Sequence, residues 1–287
     1  MRKSKRIDFS NRNIKKAKRV RTFIIAFAAF VIVLGSVSLL IFMKDLNFDL
    51  KNLVSKKETT TVAEETTTAV EPVELEGTTK LITAIANAEG KLTSVYAVIT
   101  DFEKKEIKVY SIPVSTVGSY DTISGTLVEI YDKYGILGLK RAAEGVYGVS
   151  FNRYIASSEP IFRGLLAKLD DVTVELDEPL DGSTSDGLVL DKGRQSLTPE
   201  MYVKYLNLCP ESKKAETFAA LLQVIISENN SDNLSNQFTF IANNTQTDIT
   251  IIDYSNEEKK IKGFISSEGK IIPEADTDKL NGVKDEK

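Results

Sequence analysis

Residues 92–113 read LTSVYAVITDFEKKEIKVYSIP. Two arms rich in β-branched and aromatic residues flank a polar turn, DFEKKE, which is the pattern of a β-hairpin. In the first arm Val95, Ala97 and Ile99 alternate with Tyr96 and Val98. The second arm stops at Pro113 and opens into Val114-Ser115-Thr116. A turn held by a strand end is a common place for chemistry, yet Val114 and Ser115 bring no charge to it.

Downstream, SGTLVEIYDKYG (124–135) reads as a helix, with Leu127, Ile130, Tyr131 and Tyr134 at helical spacing and Gly135 as its end. LGLKRAAEGVYGV (138–149 and the leucine before it) reads as a second helix, with Leu139, Ala142, Ala143 and Val146 on one face. FNRYIAS is a short strand, and EPIFRGLLAKLD is a helix with Pro160 near its start. DVTVEL alternates as a strand, and LVLDKGRQSL reads as a strand and turn. TPEMYVKYLNLC is expected to be a helix with Thr198 as N-cap and Pro199 at its first position. KKAETFAALLQVIISE is the next helix, and FTFIA, DITIIDY and IKGFIS are expected to be short strands. This order of mixed strands and helices predicts a single α/β domain, layered α/β/α around a mixed central sheet, over residues 80–273. Residues 274–287 are polar and expected to be a disordered tail.

Upstream, residues 44–79 are Thr- and Glu-rich and predict a linker that cannot bury a core. Residues 22–43, TFIIAFAAFVIVLGSVSLLIFM, carry no charge, and a helix of that length reaches about 30 Å, the thickness of a bilayer's hydrocarbon core. Residues 1–21 hold ten Lys or Arg and one acid, a net of +9 in a chain of net −4, so the rest carries −13. A basic segment before an apolar span predicts a single-pass cell-membrane protein with a cytoplasmic N-terminus and an extracellular body. The basic run is read as this topology signal rather than as a nucleic-acid arm, and no nucleic-acid partner is expected.

The chain has no histidine and one cysteine, Cys209. Histidine-based nucleophile systems and zinc sites are thereby excluded, and so is an internal disulfide. Chemistry would have to use carboxylates, arginines, lysines or hydroxyls.

The joint order of YSIP (110–113), YGVSFNRYIAS (147–157), DVTVEL (171–176), LDKGRQSLTPE (190–200) and SDNLS (231–235) resembles the LytR-CpsA-Psr family of cell-envelope proteins. The resemblance implies an apolar cleft for a polyprenyl pyrophosphate carrier, arginines on the pyrophosphate and aspartates on a divalent cation. It implies transfer of a glycopolymer to peptidoglycan. This chain departs from that pattern where the charges stand. Lys91 and Thr93 replace an Arg and an Asp, and Val114-Ser115 replace an Arg-Asp pair. Asn207 and Cys209 replace an Arg-x-Arg pair, and Lys213 and Lys214 are the only cations at a further arginine cluster.

The candidate phosphate-binding residues are thus Lys91, Ser115, Lys213 and Lys214, with an ordinary solvated lysine as the plain alternative in each case. Phe151, Tyr154, Phe162, Leu165 and Leu166 are candidates for the lipid cleft, and core packing explains the same pattern. No catalytic and no metal residue is assigned. The expected role is non-catalytic: holding a polyprenyl-linked glycan or cell-wall polymer, or modulating an active homologue. The alternative is a working phosphotransferase, and only then is Mg²⁺ expected as a cofactor.

Overall fold

A computed structural model describes residues 74–184 and 187–282. The hairpin is present as β2 (Leu92–Asp101) and β3 (Glu106–Ile112), antiparallel, with Val95 opposite Ile112 and Asp101 opposite Glu106. A strand not anticipated from the sequence, β1 (Thr78–Ala86), precedes it and pairs antiparallel with β2. This strand starts at Thr78, two residues before Lys80. The turn between them is built by Asn87, whose Oδ1 accepts from the amides of Glu89 (3.0 Å) and Lys91 (2.9 Å).

Two small hairpin strands, β4 (Val117–Tyr120) and β5 (Ile123–Thr126), lead into α1 (Leu127–Tyr147). Thr126 and Glu129 form a capping box at its start, satisfying two backbone donors. Gly135 has φ 64° and ψ −158°, a conformation open to glycine, and it divides α1 into the two helices expected from the sequence. The chain continues through β6 (Arg153–Ser158), α2 (Glu159–Leu166), β7 (Val172–Leu176), β8 (Leu180–Gly182), β9 (Leu188–Leu190) and β10 (Gly193–Leu197). Then come α3 (Pro199–Leu208), α4 (Glu211–Ile225), a 3-10 turn (Glu228–Asn233) and α5 (Leu234–Asn244). The last elements are β11 (Gln246–Thr247), α6 (Ile251–Ser266), β12 (Lys270–Glu274) and a 3-10 turn (Thr277–Gly282). Thr198 caps α3 through the amide of Met201, with Pro199 at the first position.

The main sheet has the order β11-β6-β1-β2-β3-β12. β6 runs parallel to β1 and β12 parallel to β3, while the β1–β2 and β2–β3 pairs are antiparallel. Pro273 lies in β12, at an edge, where a missing backbone donor is tolerated. Both faces of the central strands are covered. Val95, Ala97 and Ile99 pack with Leu127, Ile130 and Leu139 of α1 on one face. Tyr96, Val98 and Val109 pack with Phe162, Tyr202 and Phe218, from α2, α3 and α4, on the other. There the Tyr96 ring stacks on Phe218 with centroids 4.1 Å apart and planes within 7°. The expected α/β/α layering around a mixed sheet is what this arrangement is.

Three of the expected strands are not strands. FTFIA lies in α5, and DITIIDY and IKGFIS lie largely in α6. The β-branched residues favoured strands locally, but the longer periods are helical: Leu234, Phe238 and Ile241 in α5, and Tyr254, Ile261 and Phe264 in α6. Thr250-x-x-Asp253 is also a capping box: the Thr250 hydroxyl accepts from the Asp253 amide at 3.2 Å, and the Asp253 carboxylate accepts from the Thr250 amide at 2.8 Å. The expected tail is seated over its first part, because Leu280 in the final 3-10 turn is fully buried against the α1 face. The basic segment, the apolar span at 22–43 and the linker up to residue 73 lie outside the described residues. Among the described residues no helix is long and apolar enough to cross a membrane.

Candidate functional site

The register of the sheet brings one set of candidates to a common rim. Ala86 of β1 pairs with Ser158 of β6, Val95 of β2 pairs with Ile112 of β3, and Tyr110 of β3 pairs with Glu274 of β12. The rim therefore gathers the ends of β1, β3, β6 and β12, the edge at which open α/β sheets commonly bind ligands. Lys91 and Ser115 are both exposed here. Thr116 donates its amide to the carbonyl of Pro113 at 2.9 Å, closing a tight turn through Val114 and Ser115. Val114 is half-buried against the α1 core. Thr93 donates its hydroxyl to the Ile85 carbonyl at 3.0 Å, so it serves the β1–β2 hairpin.

The start of α4 reaches the same rim, because the Ser111 hydroxyl donates to Glu211 Oε1 at 2.8 Å. Lys214 is paired with Glu211 at 2.9 Å. Lys213 is paired with Asp177 at 2.6 Å and with Glu216 at 3.0 Å. The hydrogen bond to Asp177, followed by that to Glu216, holds the Lys213 ammonium above the ordinary lysine range. Lys213 and Lys214 thus already face carboxylates, which a phosphate would have to displace, whereas Lys91 stands exposed where the β1–β2 turn ends. Cys209 is buried, and burial pushes its thiol up, which suits an inert packing residue; Asn207 is exposed. The positions where the resemblance implies a cation do not fit one: Thr93, Val114 and Ser115 offer no carboxylate, and the neighbouring Glu211 is held by Lys214 and Ser111.

The five lipid-cleft candidates do not form one cleft. Phe151 and Tyr154 belong to the core on the α1 face, whereas Phe162 and Leu166 belong to the core on the opposite face, and Leu165 is buried on the same helix, α2. The sheet lies between the two groups. Sequence periodicity marked all five as apolar, but it does not say which side of a sheet an element packs on.

An apolar cavity of about 410 Å³ lies elsewhere, at the other rim, where β1, β3 and β6 begin. The sheet contributes Leu81, Val98 and Ile107 to its wall, and the helical layer contributes Ile226, Phe238, Ile249, Ile261 and Phe264. Its volume is within the range of about 300–1,000 Å³ usual for small-molecule sites. Polar groups border it: Asn152, Asn256 and the pair Arg153–Asp253, whose Nη2 and Oδ1 are 2.6 Å apart. The Tyr254 ring, also in the wall, stacks on Phe238 at 4.3 Å. These residues escaped the sequence reading because most of them stand in segments expected to be strands. The capping box at Thr250 was the available signal for α6.

Asp253 ties this border to the start of α6. Hydrogen bonds from the Thr250 amide and hydroxyl, and then from Arg153, lower its pKa from the ordinary 3.8 to about 2. A depressed folded-state pKa stabilises the fold above the unfolded value and loses that contribution as pH falls. The Tm of wild type should therefore fall more steeply between about pH 4 and pH 2 than that of Asp253→Asn. Parallel acid limbs in scanning calorimetry would contradict this role.

No protein-family model matches this chain, and no curated protein matches it. Solved structures do match. A protein of Eubacterium siraeum DSM 15702, described as a transcription regulator, superposes with a TM-score of 0.61 at 17% identity, over 79% of this chain and 97% of that one. TagV of B. subtilis superposes at 0.58 with 17% identity, over 69% of this chain and 84% of its own. TagT, in a structure bound to LIIa-WTA, superposes at 0.53 with 16% identity, over 64% and 74%. The described residues therefore have a LytR-CpsA-Psr-like fold, mixed α/β around one sheet.

Proposed function

We propose that this protein holds the hydrocarbon chain of a polyprenyl-linked glycan during cell-envelope assembly and does not itself transfer the glycan. The observation that carries the reading is the apolar cavity walled by Leu81, Val98, Ile107, Ile249, Ile261 and Phe264. Hydrocarbon leaving water for such a cavity gains about 25 cal/mol per Å² of apolar surface buried, without any charged contact. The likeness of fold to TagT, whose structure is bound to LIIa-WTA, supports a glycopolymer-related ligand.

The non-catalytic half of the proposal rests on the opposite rim. A Val stands where the resemblance implies an arginine, and Lys213 and Lys214 are engaged by Asp177, Glu216 and Glu211. Removing one preorganised donor to developing charge typically costs about 10²–10³ in rate, so several absent arginines leave little rate enhancement. In this reading the N-terminal apolar span anchors the chain in the cell membrane, with the body outside. It hands its lipid-linked glycan to an active homologue, or withholds it.

The test uses the full chain with undecaprenyl phosphate and, separately, with farnesyl diphosphate and Mg²⁺. Saturable binding of the first and no phosphate release from the second is the expected result. Absence of binding overturns the proposal, and Mg²⁺-dependent release above background replaces it with the phosphotransferase reading.

A further inference from the structure

A second surface of the molecule has the composition of a ligand site. In and before α5, residues Asn233, Asn236, Gln237, Phe240, Asn243 and Asn244 recur at intervals of three or four, which places them on one helical face. The other face carries Leu234, Phe238 and Ile241. The amide face lines an open groove of about 540 Å³, whose other wall is Lys168, just beyond α2.

Gln237 lies at the floor of this groove and is 4% exposed. Its Nε2 and Oε1 are buried and make no hydrogen bond within the chain. A buried amide left without partners is costly, and such a group in a folded protein calls for an explanation. Lys168 closes the groove from the side, its ammonium 5.2 Å from the centre of the Phe240 ring. A lysine is a flexible four-carbon stem, so this wall can move and admit a ligand to Gln237.

We infer that the amide face of α5 is a binding groove for a neutral saccharide chain. Each carboxamide offers donors and an acceptor, which is what a row of sugar hydroxyls requires. Phe240 supplies an apolar ring for the C–H face of a pyranose. No carboxylate lines the groove, so cations have nothing to bind, and its one cation is spent on the Phe240 ring, so an anion has little. A peptide strand would seek unpaired backbone edges, and the backbone of a helix is already bonded internally. The groove is separate from the lipid cavity, to which α5 contributes Phe238 from its other face. The inference therefore does not depend on the lipid-binding proposal.

The experiment titrates the full chain with chitotetraose, maltoheptaose and tetra-alanine, followed by saturation-transfer NMR and calorimetry. At least one sugar should bind saturably and tetra-alanine should not. The exposed double substitution Asn236→Ala with Asn243→Ala should weaken sugar binding about tenfold or more, since each lost hydrogen bond removes a severalfold factor. Gln237→Met should also weaken it while keeping or raising the Tm, because an unpaired amide leaves the interior. Undecaprenyl phosphate binding should be unchanged in all variants. Failure of both sugars to bind, sugar binding indifferent to these substitutions, or tetra-alanine binding as well as the sugars would each overturn the inference.

Discussion

Ile249→Trp should abolish measurable binding of undecaprenyl phosphate by the full chain while leaving the fold intact. Ile249 stands between β11 and α6, half-buried, with its side chain in the wall of the 410 Å³ cavity. An indole placed there occupies space that the hydrocarbon would take. At about 25 cal/mol per Å², each ~100 Å² of chain kept out costs about 2.5 kcal/mol, roughly a 70-fold loss of affinity. The half-exposed position lets the larger ring lean outward, so overpacking should cost no more than about 1–3 kcal/mol of stability. Binding that survives in a folded Ile249→Trp variant would place the hydrocarbon somewhere else. Lys213→Ala and Lys214→Ala provide the contrast: both lysines are already matched by carboxylates, and neither should change the affinity by more than a few fold.

Phe218→Ala should destabilise the domain by about 3–5 kcal/mol, the range for removing a buried phenyl ring. Phe218 is 5% exposed and stacks on Tyr96, which is fully buried in the central strand β2. This contact seats α4 on the sheet, and α4 in turn presents Glu211, Lys213 and Lys214 at the rim. With a typical total of roughly 5–15 kcal/mol, the loss is a large part of the domain's stability. Urea denaturation of wild type and variant measures it. A change below about 1 kcal/mol would mean that α4 does not depend on this packing.

Individual strands were legible in the sequence where alternation was strict. Residues 92–113 gave the hairpin, DVTVEL gave β7, and Gly135 marked the break within α1. β1 was less legible because Thr78–Ala86 is interrupted by a lysine and three threonines, and its burial comes from neighbours on both sides. The C-terminal third misled for a physical reason: Phe, Ile and Thr prefer strands locally, while the helical period needs more than two turns to show itself. That Val114 and Ser115 bring no charge to their turn was plain from the residues alone. What could not be read was the partnering of Lys213 and Lys214. Asp177 is far from Lys213 in the chain and meets it only once β7 and α4 have packed. The apolar cavity was hidden in the same way, since its wall combines β1, β2 and β3 with residues from 226 to 264.

The most direct test of the lipid-holding reading is a crystal structure of the chain with undecaprenyl phosphate. The account predicts continuous hydrocarbon density between Leu81, Val98 and Ile107 of the sheet and Ile249, Ile261 and Phe264 of the helical layer. It also predicts an intact phosphate that leaves the Lys213–Asp177 and Lys214–Glu211 pairs in place. An empty cavity with the lipid bound elsewhere, or a phosphate seated on freed Lys213 and Lys214 beside Ser115, would contradict it.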